Sequence, residues 1–404
     1  MRILHTSDWH IGQRLHGKDR FDEHEKFFAW LLQCINDRNI DLLLIAGDIF
    51  DVGYPSNAAL QQYYRFLTKC RESKCRKVII TGGNHDYVST LNAPKNLLDA
   101  LDITVIGGVP DLIENEIIEI KDCKDQLAAY VCAVPYLRDR DIRKGVAGES
   151  HEERVKATSL GIANHYQELA DRLEEINTHK LPVIATGHLY MAGASTSDSE
   201  RDIQMGNQAA FRWDSFPQNF DYVALGHIHR PQRISNQEQV RYSGSPIPLS
   251  FSERKDQKEV VLAEFMENEL KLVESIKVPS FRKLVGFSGS LNKVLEELEQ
   301  HQSEGEYSDW AEIQILEENY DPNLLQKYKE LLDGDFDLEI VKPSISFKDR
   351  IKGVSELYEE QVALKDLTDQ EVFEKLLDRS NFEDREELQN SYQQLLQEMN
   401  EQEQ

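Results

Sequence analysis

The amino-acid sequence predicts an α/β fold, and three observations lead to that prediction. Short apolar runs alternate with helix-like stretches over roughly the first 280 of the 404 residues. Two of these runs, residues 41–46 and 78–80, are apolar on both faces, as expected of strands that are covered on both sides. The composition changes at Val278-Pro279-Ser280, which marks the end of the first domain. We therefore expect a central sheet or paired sheets within residues 1–278.

The elements of this first domain follow from the local hydrophobic pattern. The predicted strands are residues 2–6, 41–46, 77–81, 127–134, 182–186, 222–225 and 260–265. The two clearest predicted helices are residues 22–38 and 58–74, which carry apolar residues at helical spacing.

Two further domains are predicted after residue 278. Residues 279–342 form a compact α+β domain, with strands at 282–287, 310–316 and 336–341 and helices at 290–300 and 322–332. Residues 343–404 are polar, acidic and helical in pattern. One of their helices carries an apolar stripe made of Leu388, Tyr392, Leu395 and Met399.

Composition excludes several classes of protein. No run approaches the roughly 18 apolar residues of a membrane helix, and no signal segment opens the chain, so we expect a cytoplasmic protein without a membrane partner. The five cysteines lack metal-type spacing, which favours buried reduced thiols. The net charge of −26 argues against a protein that coats DNA, because such affinity comes largely from phosphate neutralisation. An enzyme acting on DNA stays open, since metal ions supply positive charge and basic residues can cluster on one face.

Five short motifs contain the residues suited to chemistry, and each follows a predicted strand. They are Asp8-Trp9-His10, Gly47-Asp48-Ile49-Phe50-Asp51, Gly83-Asn84-His85-Asp86, Gly187-His188 and Gly226-His227-Ile228-His229. In open α/β sheets, ligands bind beyond the carboxyl ends of strands, where the loops converge. Five strand ends that deliver Asp, His or Asn to one rim therefore predict a metal site.

The ligand types indicate which metals fit and how many. The candidate ligands are the nitrogens of His10, His188, His227 and His229 and the oxygens of Asp8, Asp48 and Asn84. Nitrogen and oxygen ligands without thiolate suit manganese, iron or zinc better than calcium. Seven candidates are too many for one tetrahedral ion, whereas two ions about 3.5–4 Å apart, bridged by a carboxylate, would use them all.

Each motif alone has a less specific interpretation. Asp8-x-His10 and His227-x-His229 are compatible with structural or exposed side chains, and Gly-Asp-x-x-Asp with an ordinary turn. Gly-Asn-His-Asp is more specific, because turn geometry does not demand those three polar residues in succession. The order of all five motifs and their shared place after strands favour the binuclear site.

This arrangement resembles the calcineurin-like metallophosphoesterase superfamily, whose motifs run D-x-H, G-D-x-x-D, G-N-H-[DE], G-H and G-H-x-H. The resemblance implies a four-layer αββα sandwich with a small α+β capping domain and C-terminal helices. It also implies that one ion is held by Asp8, His10, Asp48 and His229 and the other by Asp48, Asn84, His188 and His227. His85 would be the general acid that protonates the leaving oxygen, and Asp51 would orient it.

The opening residues 2–10 and the stretches 46–51, 185–189, 224–230 and 242–251 resemble, more closely, the SbcD family of nuclease subunits from bacterial SbcCD complexes. This resemblance implies manganese-dependent endonuclease and 3′-to-5′ exonuclease action on DNA ends and hairpins, in replication, recombination and repair. Magnesium is the alternative metal. The implied partners are DNA, a second copy of the chain and a coiled-coil ATPase of the SbcC type, in a heterotetramer.

Two other functions are compatible with the same motifs. A phosphodiesterase acting on cyclic nucleotides or other small molecules would use the same metal chemistry, although it has no need of the long segment after the first domain. A catalytically weak scaffold that tethers DNA would not need all seven ligands and His85. We therefore expect a DNA nuclease, with residues 343–404 docking on the ATPase.

Overall fold

The structure is a computed structural model that describes residues 1–145, 148–200, 211–318 and 322–347. The strands within these residues are β1 (Arg2–Thr6), β2 (Arg14–Leu15), β3 (Lys18–Asp19), β4 (Leu42–Ala46), β5 (Lys77–Thr81), β6 (Ile103–Ile106), β7 (Ile117–Lys121), β8 (Leu127–Cys132), β9 (Val183–His188), β10 (Tyr222–Gly226), β11 (Gln232–Ile234), β12 (Gln237–Tyr242), β13 (Glu259–Met266), β14 (Glu269–Lys277), β15 (Leu284–Gly289), β16 (Asp309–Glu317) and β17 (Leu338–Phe347). The helices are α1 (Phe21–Arg38), α2 (Asn57–Arg71), α3 (Val88–Asn92), α4 (Lys95–Asp99), α5 (Asp139–Ile142), α6 (His151–Ile176), α7 (Leu291–Gln300) and α8 (Pro322–Leu332).

Two six-stranded sheets form the first domain. The first sheet has the order β14-β13-β1-β4-β5-β6, in which β1, β4, β5 and β6 are parallel and β13 is antiparallel to β1. The second has the order β11-β12-β10-β9-β8-β7, with a parallel centre from β12 to β8. Parallel neighbours place their carboxyl ends on the same edge of a sheet, so the motifs after β1, β4 and β5 lie side by side.

The sheets and helices stack in four layers, as the family resemblance implied. Strand β4 shows why, because its side chains alternate between two cores. Leu43 and Ile45 pack with apolar side chains of α1 and α2, whereas Leu42 and Leu44 pack between the two sheets. The far face of the second sheet is covered by α6, through residues such as Leu169. The order is therefore helix, sheet, sheet, helix.

Helix termini follow recognisable local signals. Ser150 and Glu153 form a capping box at the start of α6: the Glu153 N–H donates to Ser150 Oγ at 3.3 Å, and the Ser150 N–H donates to the Glu153 carboxylate at 2.8 Å. At α2 the side chain of Ser56 accepts from the Ala59 N–H at 3.2 Å. These caps satisfy backbone donors that the first turn of a helix leaves unpaired.

Strands β15, β16 and β17 form a three-stranded sheet, and α7 and α8 connect them in sequence. The chain divides into two compact units. The first comprises Met1–Gly286, Gln302–Glu312 and Asp337–Lys342, and the second comprises Phe287–His301, Ile313–Phe336 and Pro343–Gln404. The last of these segments is described only as far as Phe347, so the predicted C-terminal helices and their stripe of Leu388, Tyr392, Leu395 and Met399 lie outside the described residues.

The predicted strands and helices of residues 1–342 that fall within the described residues are confirmed, with ends that differ by up to six residues. Residues 343–347, predicted to begin the helical C-terminal segment, instead continue strand β17, which pairs in the three-stranded sheet. All five cysteines are unpaired and four are buried, as predicted, whereas Cys123 is exposed. Among the described residues, no helix combines the length and hydrophobicity needed to span a membrane.

Candidate metal centre

The nine predicted site residues come from five strand ends, three in the first sheet and two in the second. Asp8 and His10 follow β1, Asp48 and Asp51 follow β4, Asn84 and His85 follow β5, His188 ends β9, and His227 and His229 follow β10. The structure brings all nine to one place. Six of them, all but Asn84, His85 and Asp51, are at most 3% exposed.

Asp48 lies at the middle of this cluster. Its Oδ2 atom is 3.2 Å from His188 Nε2 and 3.6 Å from His10 Nε2. Ligand atoms of Asp8, Asp48 and His188 all lie within 4.8 Å of one another, and so do those of Asp8, His10 and His229. The two groups have Asp8 in common, so the cluster offers neighbouring sets of ligand atoms for two cations.

Asn84 joins the two histidines of the second sheet to this cluster. Its Oδ1 atom lies 3.0 Å from His188 Nε2 and 3.0 Å from His227 Nδ1. An amide oxygen that faces two imidazole nitrogens is in position to share a cation with them.

Unpaired buried nitrogens show that the residues fit a metal. Both ring nitrogens of His10 and the Nε2 atom of His227 are buried and make no hydrogen bond. A buried polar atom without a partner is costly, and native proteins rarely leave one unless a ligand satisfies it. Divalent cations would satisfy these nitrogens and neutralise the carboxylates of Asp8 and Asp48.

The charged side chains of this site shift one another's pKa values. Burial acts to raise the pKa of Asp48, but His188 and His10 outweigh it and hold that pKa well below its usual range. Burial likewise acts to lower the pKa of His188, but Asp48 outweighs it and raises that pKa to about 9. At His227 burial prevails, with repulsion from His188, and lowers the pKa to about 3. Neutral His227 therefore keeps a lone pair free for a ligand role.

Four candidate ligands have a backbone conformation that residues other than glycine rarely adopt. Asp8, His10 and Asp48 have φ values of 52°, 47° and 49°, and His227 has 96°. Such strain costs on the order of 1–3 kcal/mol for each residue and is concentrated at functional sites. Hydrogen bonds between motifs hold it: the Asp8 N–H donates to Gly47 O at 3.0 Å, and the His227 N–H to Asp8 Oδ1 at 2.8 Å.

Glycine is required at positions 47 and 83, because candidate ligands lie too close to leave room for a side chain. A Cβ atom at Gly47 would overlap the His188 ring, and one at Gly83 would overlap the Asp48 carboxylate. The tight turns predicted at these motif glycines are therefore explained by contact with candidate ligands.

His85 and Asp51 are in contact, but through a different atom from the one expected. His85 Nδ1 lies 2.8 Å from the backbone carbonyl of Asp51, whereas the Asp51 carboxylate lies 3.3 Å from His10 Nδ1. The family resemblance implies that Asp51 orients His85, which a carboxylate on the ring nitrogen would do. The peptide group takes that place because the turn after Asp48 points its carbonyl at the imidazole.

Comparisons with known proteins agree with this geometry. Residues 1–231 match the calcineurin-like phosphoesterase family, and residues 280–381 match SbcD_C, described as the type 5 capsule protein repressor C-terminal domain. The chain is 36% identical over 383 residues to SbcD of the SbcCD nuclease from Escherichia coli strain K12, an alignment that covers 93% of this chain and 92% of that protein. It is 31% identical over 325 residues to SbcD of the SbcCD nuclease from Bacillus subtilis strain 168, with coverage of 79% and 80%.

The chain belongs to the SbcD family of SbcCD nucleases. It is a metal-dependent phosphodiester hydrolase. A solved dimetal phosphatase from Danio rerio is 14% identical, with a TM-score of 0.41 over 69% of this chain and 98% of that one, and this likeness adds nothing to the assignment.

One residue of this SbcD-family site had no role in the sequence analysis although its motif was singled out. Asp86 is buried, and its carboxylate accepts from the N–H groups of Ile49 and Phe50 at 3.1 Å and of Gly83 at 2.9 Å. It thereby ties the loop after β4 to the loop after β5. Burial, together with repulsion from Asp48, raises the pKa of Asp86 to about 6.

A buried network behind His229 was missed altogether. His229 Nδ1 lies 2.7 Å from Ser199 Oγ, and that hydroxyl donates to Glu253 Oε1 at 2.7 Å. Lys258 Nζ lies 2.5 Å from Glu253 Oε2 and donates to the His229 carbonyl at 2.9 Å. Burial acts to raise the pKa of Glu253, but Lys258 and His229 outweigh it and hold it well below its usual range. No local pattern signals this network, because Ser199, His229 and the segment that carries Glu253 and Lys258 come from three separate loops.

Replacing Glu253 with Gln should destabilise the protein and loosen the site. The change leaves the Lys258 ammonium buried without a countercharge, which costs about 3–5 kcal/mol of unfolding free energy. Because Glu253 orients His229 through Ser199, Mn²⁺ affinity should also fall by about 10–100-fold. Urea denaturation and metal titration measure the two effects.

The matched control is Glu269→Gln, which removes one carboxylate from the exposed pair with Lys271. Exposed pairs contribute little, so this variant should unfold like the parent protein. A Glu253→Gln protein as stable as the control would contradict the role given to the buried pair.

Proposed function

We propose that this chain hydrolyses phosphodiester bonds in DNA by two-metal catalysis, as an endonuclease and a 3′-to-5′ exonuclease. The observation that carries the proposal is the cluster of buried imidazoles and carboxylates around Asp48, in which three imidazole nitrogens make no hydrogen bond. The relatives named as SbcCD nucleases point to nucleic acid as the substrate. The match of residues 280–381 to a domain named after SbcD favours a nuclease over a minimal phosphodiesterase.

Seven residues would hold the two ions. Asp8, His10, Asp48 and His229 would hold one, and Asp48, Asn84, His188 and His227 the other, with Asp48 shared. The nitrogen and oxygen donor set without thiolate favours Mn²⁺, with Mg²⁺ as the alternative. When bound, the ions supply Lewis-acid chemistry, lowering the pKa of water and neutralising charge that develops on the phosphate.

His85 would supply the proton for the leaving oxygen. A carbonyl only accepts hydrogen bonds, so the contact with the Asp51 carbonyl keeps a proton on His85 Nδ1. In the imidazolium form, which carries a proton on both nitrogens, His85 would give its Nε2 proton to the departing DNA oxygen, become the neutral Nδ1–H form and regain a proton from water. Donation by a positioned histidine typically contributes about 10²–10⁴-fold to the rate.

The proposed assembly follows the relatives' names. We propose a homodimer that joins an SbcC-type coiled-coil ATPase in a heterotetramer, for the processing of DNA ends and hairpins in replication, recombination and repair. Residues 279–342 would cap the nuclease domain. Residues 348–404 contain sixteen Asp or Glu against seven Lys or Arg, a charge balance that suits protein contact better than DNA contact.

Replacing His85 with Gln should separate chemistry from binding. The variant should cleave DNA at least about 100-fold more slowly with Mn²⁺, while it binds metal and DNA like the parent, because His85 is assigned to proton transfer alone. Single-turnover cleavage of a hairpin and a blunt duplex measures the rate, and metal analysis measures the ions bound.

His179→Gln is the matched control, since His179 is exposed on the loop after α6. It should cleave at the parental rate. Loss of metal from the His85→Gln protein would make His85 a ligand and refute its assignment as the acid.

Removing residues 348–404 should abolish association with the coiled-coil ATPase. The cut is placed after Phe347 because β17 extends to that residue. Metal binding and Mn²⁺-dependent cleavage of single-stranded DNA should persist, since the nine site residues all precede residue 230. Pull-down and nuclease assays measure the two properties, and retained ATPase binding would place that interface elsewhere.

A further inference from the structure

A cleft of about 600 Å³ carries more cationic than acidic side chains, whereas the whole chain is acidic. Its walls carry seven cationic side chains and two acidic ones, in a protein whose net charge is −26. Like charges placed together repel, and the chain has acidic residues in excess to pair with them. A local excess of cations in such a protein therefore indicates a surface that receives an anion.

The two acidic residues of the cleft are already neutralised. Glu23 is buried and paired with both Arg20 and Arg282, the latter at 3.4 Å. Asp256 is paired with Arg230 at 2.8 Å. Lys258 and Lys283 are paired as well, with Glu253 and Glu304, so the available positive charge of the cleft comes from Lys255, Lys277 and Arg254.

Two lysines of the cleft keep their charge available. Lys255 and Lys277 are both exposed, and neither makes an ion pair with a carboxylate anywhere in the described part of the chain. Arg254 is also exposed, and its nearest carboxylate contact, with Glu312, is long at 3.8 Å.

Arg282 is fixed at the wall of the cleft by its pair with Glu23 and by two aromatic rings. Its guanidinium lies 4.4 Å from the ring centroid of Trp310 and 4.9 Å from that of Tyr307. Stacking on two aromatic rings fixes the planar group at little cost in side-chain entropy. Arginine and lysine together are the residues that proteins use to bind phosphate.

The cleft is connected to the metal centre through a single side chain. Lys258 lines the cleft, and its Nζ atom donates to the carbonyl of His229 at 2.9 Å. Arg20, which also lines the cleft, donates to the carbonyl of Pro248 at 2.7 Å, in the segment that follows Ser245. An anion in the cleft would therefore lie next to the elements that hold His229.

We propose that this cleft binds backbone phosphates of the DNA strand that flanks the bond being cleaved. The inference rests on the proposed nuclease function. It would account for DNA binding by so acidic a chain, because the cleft gathers cationic side chains next to the backbone of His229.

The test compares DNA binding of two double variants in a His85→Gln background, in which cleavage should be slow enough for binding to be measured. Lys255→Gln with Lys277→Gln removes two cleft charges, and Lys121→Gln with Lys271→Gln removes two exposed lysines elsewhere. For a blunt duplex, the cleft variant should raise Kd by about tenfold at 0.15 M salt and reduce the slope of log K against log salt by about 1.8. The control should change neither by a comparable amount.

Tripolyphosphate tests whether the cleft binds a free polyphosphate instead of the phosphates of DNA. The proposal is supported if tripolyphosphate only competes weakly with DNA. It is overturned in favour of a free polyphosphate ligand if tripolyphosphate binds tightly, loses that binding in the cleft variant, and DNA affinity stays at the parental value.

Cleavage by the otherwise unaltered protein separates the two proposals. A chain that cleaves no DNA would refute the proposed function, whatever the cleft binds. A chain that cleaves DNA, but whose cleft variant keeps the Kd and salt slope of the control, would overturn the cleft proposal alone.

Discussion

The buried carboxylate of Asp48 is the constraint on which the rest of the site depends. It is 1% exposed and faces imidazoles from both sheets, with its other oxygen accepting from the His85 N–H at 2.9 Å. A charge removed from water is stable only if it is paired and hydrogen-bonded. The two sheets must therefore pack in one fixed relative position, because His10 comes from the first sheet and His188 from the second.

The surrounding structure keeps that meeting point rigid. Positive φ angles at four candidate ligands hold the side chains inward, and Asp86 binds the loops after β4 and β5 together. The buried Glu253–Lys258 pair holds the backbone of His229, since Lys258 also donates to the His229 carbonyl. Sites built on strand ends with such support are held more accurately than sites on unsupported loops. This rigidity accords with an enzyme whose ligands are placed before any substrate arrives.

The sequence predicted much of this because the ligands are local to strand ends. Strand β4 and the motif after it could be recognised together, since both are continuous in sequence. The contacts between distant loops could not be predicted, because Ser199, His229 and Glu253 are far apart in sequence and meet only in the folded chain. The carbonyl of Asp51 replaced its carboxylate at His85 for a similar reason: the direction of a peptide group depends on turn geometry, which residue types alone do not determine.

The most direct test of the account is anomalous X-ray diffraction from crystals of the protein grown with Mn²⁺. The account predicts two manganese peaks about 3.5–4 Å apart, with the Asp48 carboxylate between them and imidazole nitrogens at about 2.0–2.2 Å from each ion. A single peak, or two peaks without Asp48 between them, would contradict the claim that this carboxylate organises a binuclear centre.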